Sequence, residues 1–118
     1  MWLGDRSRSV HLACGVTDLR KSIDGLATLV QLHFGENPTG SALFVFCNRG
    51  RDKLKILEWD HNGFWLHYRR LERGRFVWPA VGDTATQAIT VRQLQWLLDG
   101  LALDQPLAHR PMAGRRVG

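Results

Sequence analysis

Arg49, Arg51, Lys53, Lys55, Arg69, Arg73 and Arg75 fall within one run, CNRGRDKLKILEWDHNGFWLHYRRLERGR, in which cations alternate with apolar and aromatic residues. Cations two apart on an extended chain share one side of it. Guanidinium and ammonium groups beside Trp suit a surface that grips phosphate and packs against bases. The same pattern also has a purely structural explanation. Cross-strand aromatic pairs stabilise sheets with no ligand present, and edge cations keep a sheet from pairing with another copy.

Other chemistry finds less support. Asp52, Glu58 and Asp60 are close in sequence, but Arg51 and Lys53 flank Asp52 as ion-pair partners and Asp60 precedes the turn-like HNG. His11, Cys14 and Cys47 lack zinc-ligand spacing, since His-x-x-Cys on a strand puts its ends on opposite faces. His33 and His67 have no Ser or Cys in a nucleophile setting, and no phosphate-binding glycine motif is present. No catalytic residue, metal ligand or cofactor is assigned, and the chain is read as a non-enzyme.

The elements that must carry these cations follow from composition and periodicity. The chain has 118 residues, 44% of them hydrophobic and 23% charged, which suits one globular domain. Sixteen Lys and Arg against eleven Asp and Glu give a net charge of +5, which favours an anionic partner. No apolar run is long enough to cross a bilayer. MWLGDRSRSV lacks the apolar core of a signal peptide, so a cytoplasmic protein is expected.

SVHLACGV reads as a strand, and Thr17 or Asp18 as the cap of a helix, LRKSIDGLATLVQLHF, with Arg20 paired to Asp24. ALFVFCN, KLKILEWD, FWLHYRRL and RFVWP then read as an antiparallel meander joined by short Gly-containing turns. Thr90 caps a second helix, VRQLQWLLDGL. The expected class is α+β, an antiparallel β-meander of four to five strands packed with two helices. Residues 1–104 form the single domain and residues 105–118 a basic, flexible tail.

Pairing Asp60 with Phe64 across HNG, and Asn48 with Lys53, Val45 with Ile56 and Cys47 with Leu54 across RGRD, sorts the strands into two faces. Leu43, Val45, Cys47, Leu54, Ile56, Leu66, Tyr68, Phe76 and Trp78 form an apolar core face. Phe44, Phe46, Lys53, Lys55, Trp59, Trp65, His67 and Arg69 form an aromatic and basic outer face.

Three segments together resemble a known family: HLACGVTDLRKSIDGLATLV, the long LFVFCNRGRDKLKILEWDHNGFWLHYRRLERGRFVWP, and ITVRQLQWLLDGL. They are similar to TnpB, the accessory-protein family encoded by the second open reading frame of IS66-type bacterial insertion sequences. That family is unrelated to the RNA-guided nuclease of the same name. The motif positions here are Asp18, Arg20, Lys21, Asp24 and Gly25, then Asn48, Arg49, Arg51, Asp52 and Lys53, then Gly63, Phe64, Trp65 and residues 71–74. Glu58 stands where the family has Tyr or another uncharged residue, placing an acid on the core face for which Tyr68 or Arg70 is the expected partner.

The resemblance implies a role beside a separate transposase that does the cutting, with DNA at the element's ends and the transposase as partners. Two functions remain open. In the first, Arg49, Arg51, Lys53, Lys55, Arg69, Arg73 and Arg75 hold phosphate and Trp65 packs against sugar or base. In the second, Phe44, Phe46, Trp59 and Trp65 form a patch that binds the transposase, or a second copy of the chain, without DNA.

Overall fold

A computed structural model describes residues 5–105. The chain runs β1 (Val10–Ala13), α1 (Ile23–Leu29) continued by a π-helical turn (Val30–Phe34), β2 (Leu43–Cys47), β3 (Lys53–Asp60), β4 (Gly63–Arg70), β5 (Thr86–Ile89) and α2 (Val91–Leu98). The strands form one five-stranded sheet in the order β4-β3-β2-β1-β5. β1 and β2 are parallel, joined by a crossover through α1, and every other pair is antiparallel. The class is α+β, with a mixed and mostly antiparallel sheet.

All five residues of β2 are buried. A strand with no polar alternation is one covered on both faces, and the core accordingly has two halves. On one face Val10, Leu12, Leu43, Val45, Cys47, Leu54 and Ile56 meet Val91, Leu94 and Leu97 of α2, with Phe76 and Trp78. On the other, Phe44, Phe46 and Leu57 meet Leu26 and Val30 of the first helix. The apolar face expected from β2 and β3, with Phe76 and Trp78, is thus present. The expected outer face is not, because Phe44 and Phe46 are fully buried beneath α1.

The β3–β4 register differs by one residue from the expected one. Asp60 pairs with Gly63 and Trp59 with Phe64, so the hairpin loop is His61 and Asn62 alone. His61 takes the left-handed conformation (φ 61°) that a two-residue hairpin turn requires at its first position. A one-residue slip exchanges the faces of a whole strand. Leu66 therefore packs against the α1 side, Tyr68 is 54% exposed, and Trp65, His67 and Arg69 turn to the α2 side.

RFVWP is buried at Phe76 and Trp78 but is no strand. With β4 at one edge and β5 at the other, the chain between them must cross the sheet. It does so over the α2 face, tied by Phe76 N–H to the Arg51 carbonyl (2.6 Å) and Trp78 Nε1 to the Ala13 carbonyl (2.9 Å). The fifth strand is Thr86–Ile89, whose short, mostly exposed TQAI carries little β signal.

The first helix begins later than expected. Ser22, in extended conformation, is its N-cap, and residues 18–21 form a turn closed by Lys21 N–H on the Asp18 carbonyl. Arg20 pairs with Asp18 and not with Asp24. Gly35, at φ 65°, ends the π-helical turn in the left-handed conformation that glycine adopts without cost. Thr90 caps α2 as expected, in a reciprocal box with Gln93. The expected C-terminal tail lies outside the described residues, apart from Gln105.

Candidate nucleic-acid interface

The turn between β2 and β3 is built by its own polar side chains. Asn48 Oδ1 accepts from the Asp52 and Lys53 backbone N–H groups (both 3.1 Å), and its Nδ2 donates to Asp52 Oδ1 (2.8 Å). A Cβ on Gly50 would lie 3.1 Å from that same Asp52 oxygen, so a larger residue there would require the Asp52 side chain to give by a few tenths of an ångström. The Asn48 hydrogen bond is the leading cause that lowers the Asp52 pKa. With the polar groups of Asn48 and Asp52 turned inward, Arg49 and Arg51 are left exposed. Asn48→Ala should cost about 1–3 kcal/mol, the range for stranding part-buried backbone donors, read as a shift in the urea midpoint.

Facing this turn is the loop that leads into α1. Thr17 N–H donates to the Cys47 carbonyl (2.9 Å), fixing the loop at the end of β2. Lys55 Nζ reaches from β3 to the carbonyls of Leu19 (2.6 Å) and Lys21 (3.0 Å), bracing the loop against the sheet. Between loop and turn lies a cleft of about 900 Å³, lined by Thr17, Asp18, Leu19 and Arg20 on one side and by Asn48, Arg49 and Gly50 on the other. Lys53, Lys55 and Tyr68 complete its lining from the sheet. Lys53 Nζ also lies 3.9 Å from Asp52 Oδ2, and four cations thus line the cleft with one carboxylate.

That carboxylate, Asp18, is already engaged. Its pKa is held down to about 2, first by hydrogen bonds from the Arg20 guanidinium and next by the Arg20 backbone N–H. A folded value below the unfolded one near ~3.9 means that the pairing stabilises the loop fully above about pH 4 and is lost as pH falls through the folded value. An NMR titration of the Asp18 carboxyl should find its midpoint near 2, and a midpoint at the ordinary value would show that the Arg20 contact does not form in solution.

The expected site residues divide into three groups. Arg49, Lys53 and Lys55 line the cleft. Arg51, Arg73 and Arg75 lie at the adjoining end of the molecule, all exposed, with Arg75 Nε donating to the Gly50 carbonyl (3.1 Å). Trp65 and Arg69 lie on the opposite face of the sheet. There Trp65 donates to Asp60 (3.0 Å) and stacks on His67, while Arg69 Nε caps the Leu98 carbonyl of α2 (2.7 Å). The sheet therefore separates these two from the cleft. Lys55, whose ammonium is spent on two carbonyls, contributes charge and rigidity more than a free contact.

Two cleft residues, Arg20 and Tyr68, were not among the expected ones. TDLRK and NRGRD both belong to the motif positions named above, which is the signal that could have joined Arg20 to Arg49. Tyr68 was hidden by the register.

Glu58 is 1% exposed, and its partners are Arg8 (Nη1 to Oε2, 3.2 Å) and His67 (Nε2 to Oε1, 2.8 Å), not the expected Tyr68 or Arg70. Burial raises both thiols, Cys47 to about 12. Among the described residues no group of three or more His, Cys, Asp or Glu side chains is placed to hold a metal ion, and no helix is long and apolar enough to cross a membrane.

Fold and cleft together define a small α+β protein that gathers cations from two loops around one concave surface. The chain belongs to the IS66 Orf2-like family, whose model, described as IS66 Orf2 like protein, matches residues 8–108. It is a transposition-associated accessory protein of an insertion-sequence family. The chain is 41% identical over 97 residues to the uncharacterized protein y4hO of Sinorhizobium fredii (strain NBRC 101917 / NGR234), covering 82% of this chain and 84% of that one. It is 32% identical over 80 residues to the uncharacterized protein y4jC of the same strain, covering 68% of each. No solved structure matches the chain significantly.

Proposed function

We propose that the protein is a non-catalytic accessory factor that binds the DNA of its IS66-type element through the cleft and the adjoining basic turns, and so helps the separate transposase act there. The observation that carries this reading is the meeting of Arg49, Lys53 and the braced Lys55 around one cleft whose lining carboxylate, Asp18, is neutralised by Arg20. Arg51, Arg73 and Arg75 extend the positive surface at the same end. Phosphate contacts of this kind supply sequence-independent affinity that falls steeply with salt. The alternative, a module that binds the transposase without DNA, is less well supported. Of its four proposed patch residues Phe44 and Phe46 are buried, Trp59 is half-buried against Phe64, and Trp65 alone is exposed.

The test is fluorescence anisotropy with a labelled duplex of the element's terminal repeat, beside a scrambled duplex, in a salt series. Steeply salt-dependent binding is expected. Tighter binding to the repeat would make the protein an end-reading factor, and equal binding a clamp targeted by the transposase. Absence of binding at low salt, by the duplex and by its separated strands alike, would reject the proposal.

A further inference from the structure

Tyr68 is unlike its neighbours. It lies on the α1 face of the sheet with Phe44, Phe46, Phe64 and Leu66, all of which pack into the core beneath the first helix. Tyr68 is instead 54% exposed and lines the cleft. Its cross-strand partner is Lys55, whose ammonium is tied to the loop carbonyls. The tyrosine therefore sits beside a braced side chain, with Arg49, Arg20 and Lys53 around the same cavity.

The shape of the site discriminates between forms of DNA. A duplex is a convex rod with its phosphates outside and its bases stacked within. It can touch arginines on the rim, but it offers no base face to a ring inside a cleft. A cavity of about 900 Å³ falls in the size range of small-ligand pockets and admits unstacked nucleotides more readily than the body of a duplex. Cations that follow the backbone, beside an aromatic ring on which a base can lie, are the means by which proteins hold single strands.

We propose that the cleft takes single-stranded DNA, with an unpaired base stacked on Tyr68 and the flanking phosphates on Arg49 and Lys53. This rests on the reading that the cleft binds DNA, and narrows it to the unpaired form. The site is suited to a strand end or an opened segment, and the exposed basic turns beside it remain available to flanking duplex.

The test compares a short labelled DNA strand of mixed sequence with its own duplex and with the RNA strand of the same sequence, at one salt concentration, for wild type, Tyr68→Ala, Tyr68→Phe and Arg49→Ala. Tyr68 is exposed, so its substitution should leave the thermal melt in place, which is checked first. The DNA strand is expected to bind more tightly than the duplex or the RNA. Tyr68→Ala should weaken strand binding about tenfold to a hundredfold, the size of one lost base–aromatic stack, and duplex binding by much less. Tyr68→Phe should bind as wild type, and Arg49→Ala should weaken strand and duplex alike. A duplex bound as tightly as the strand, tighter binding to RNA, or a strand affinity indifferent to Tyr68→Ala would overturn this inference while leaving DNA binding standing. Failure of all three nucleic acids to bind would overturn both.

Discussion

Arg8→Ala should destabilise the protein by about 3–5 kcal/mol, the cost of leaving a buried charge without its partner. Glu58 points into the α2 side of the core at 1% exposure, and among the described residues the Arg8 side chain, itself 15% exposed, supplies its only always-charged contact. Arg8 is anchored by a second hydrogen bond from Nε to the Ser41 carbonyl, which ties the lead-in to β1 to the start of β2. His67 holds the other carboxylate oxygen and, being titratable, is no substitute for a guanidinium. The pairing is incomplete on the arginine side, since Arg8 Nη2 is buried without a hydrogen-bond partner. Buried ion pairs of this kind are often replaced by apolar residues at no cost. Arg8→Met with Glu58→Leu should therefore recover most of the stability lost in Arg8→Ala. Urea denaturation measures both. A loss below about 1 kcal/mol for Arg8→Ala, the level of an exposed pair, would mean that water reaches Glu58.

Phe46→Ala should cost about 3–5 kcal/mol, as for other large aromatic side chains removed from a core. Phe46 is fully buried and packs with Phe34, ring centroids 5.8 Å apart, under the π-helical turn that extends α1. The magnitude discriminates between two architectures. If β2 had one face in solvent, as its place in a simple meander suggests, Phe46 would be an exposed side chain and its truncation would stay within about 0.5 kcal/mol. A large loss in the urea midpoint supports a sheet covered on both sides.

That contrast shows where the sequence was legible. The β2–β3 register, the Thr90 cap and the burial of Phe76 and Trp78 all followed from local signals: a short turn, a capping residue with Gln three positions on, and large aromatics in an apolar stretch. What failed depended on long-range topology. LFVFC has no polar alternation, itself a mark of cover on both faces, but the meander reading set one face in solvent, and the cover comes from the crossover through α1. The hairpin after Asp60 turns in two residues, His61 and Asn62, where three were expected, and that one-residue change of register moves Tyr68 from the expected core into the cleft. Arg8 lies fifty positions from Glu58, so no spacing could join them. The cations of the CNRGRD turn were legible as a group because they are adjacent in sequence. Their meeting with Arg20 required the Lys55 brace.

The claim that the cleft is the DNA-binding surface is tested most directly by the salt dependence of binding. Arg49→Ala with Lys53→Ala removes two of its cations while sparing the Asn48–Asp52 staple and the Lys55 brace. The slope of log K against log salt for a short single strand should fall by about 1.4, or about 0.7 for each lost phosphate contact. Removing Arg69, on the far side of the sheet, should leave that slope unchanged. An unchanged slope in the double variant, or an equal fall on replacing Arg69, would contradict the assignment of DNA to the cleft.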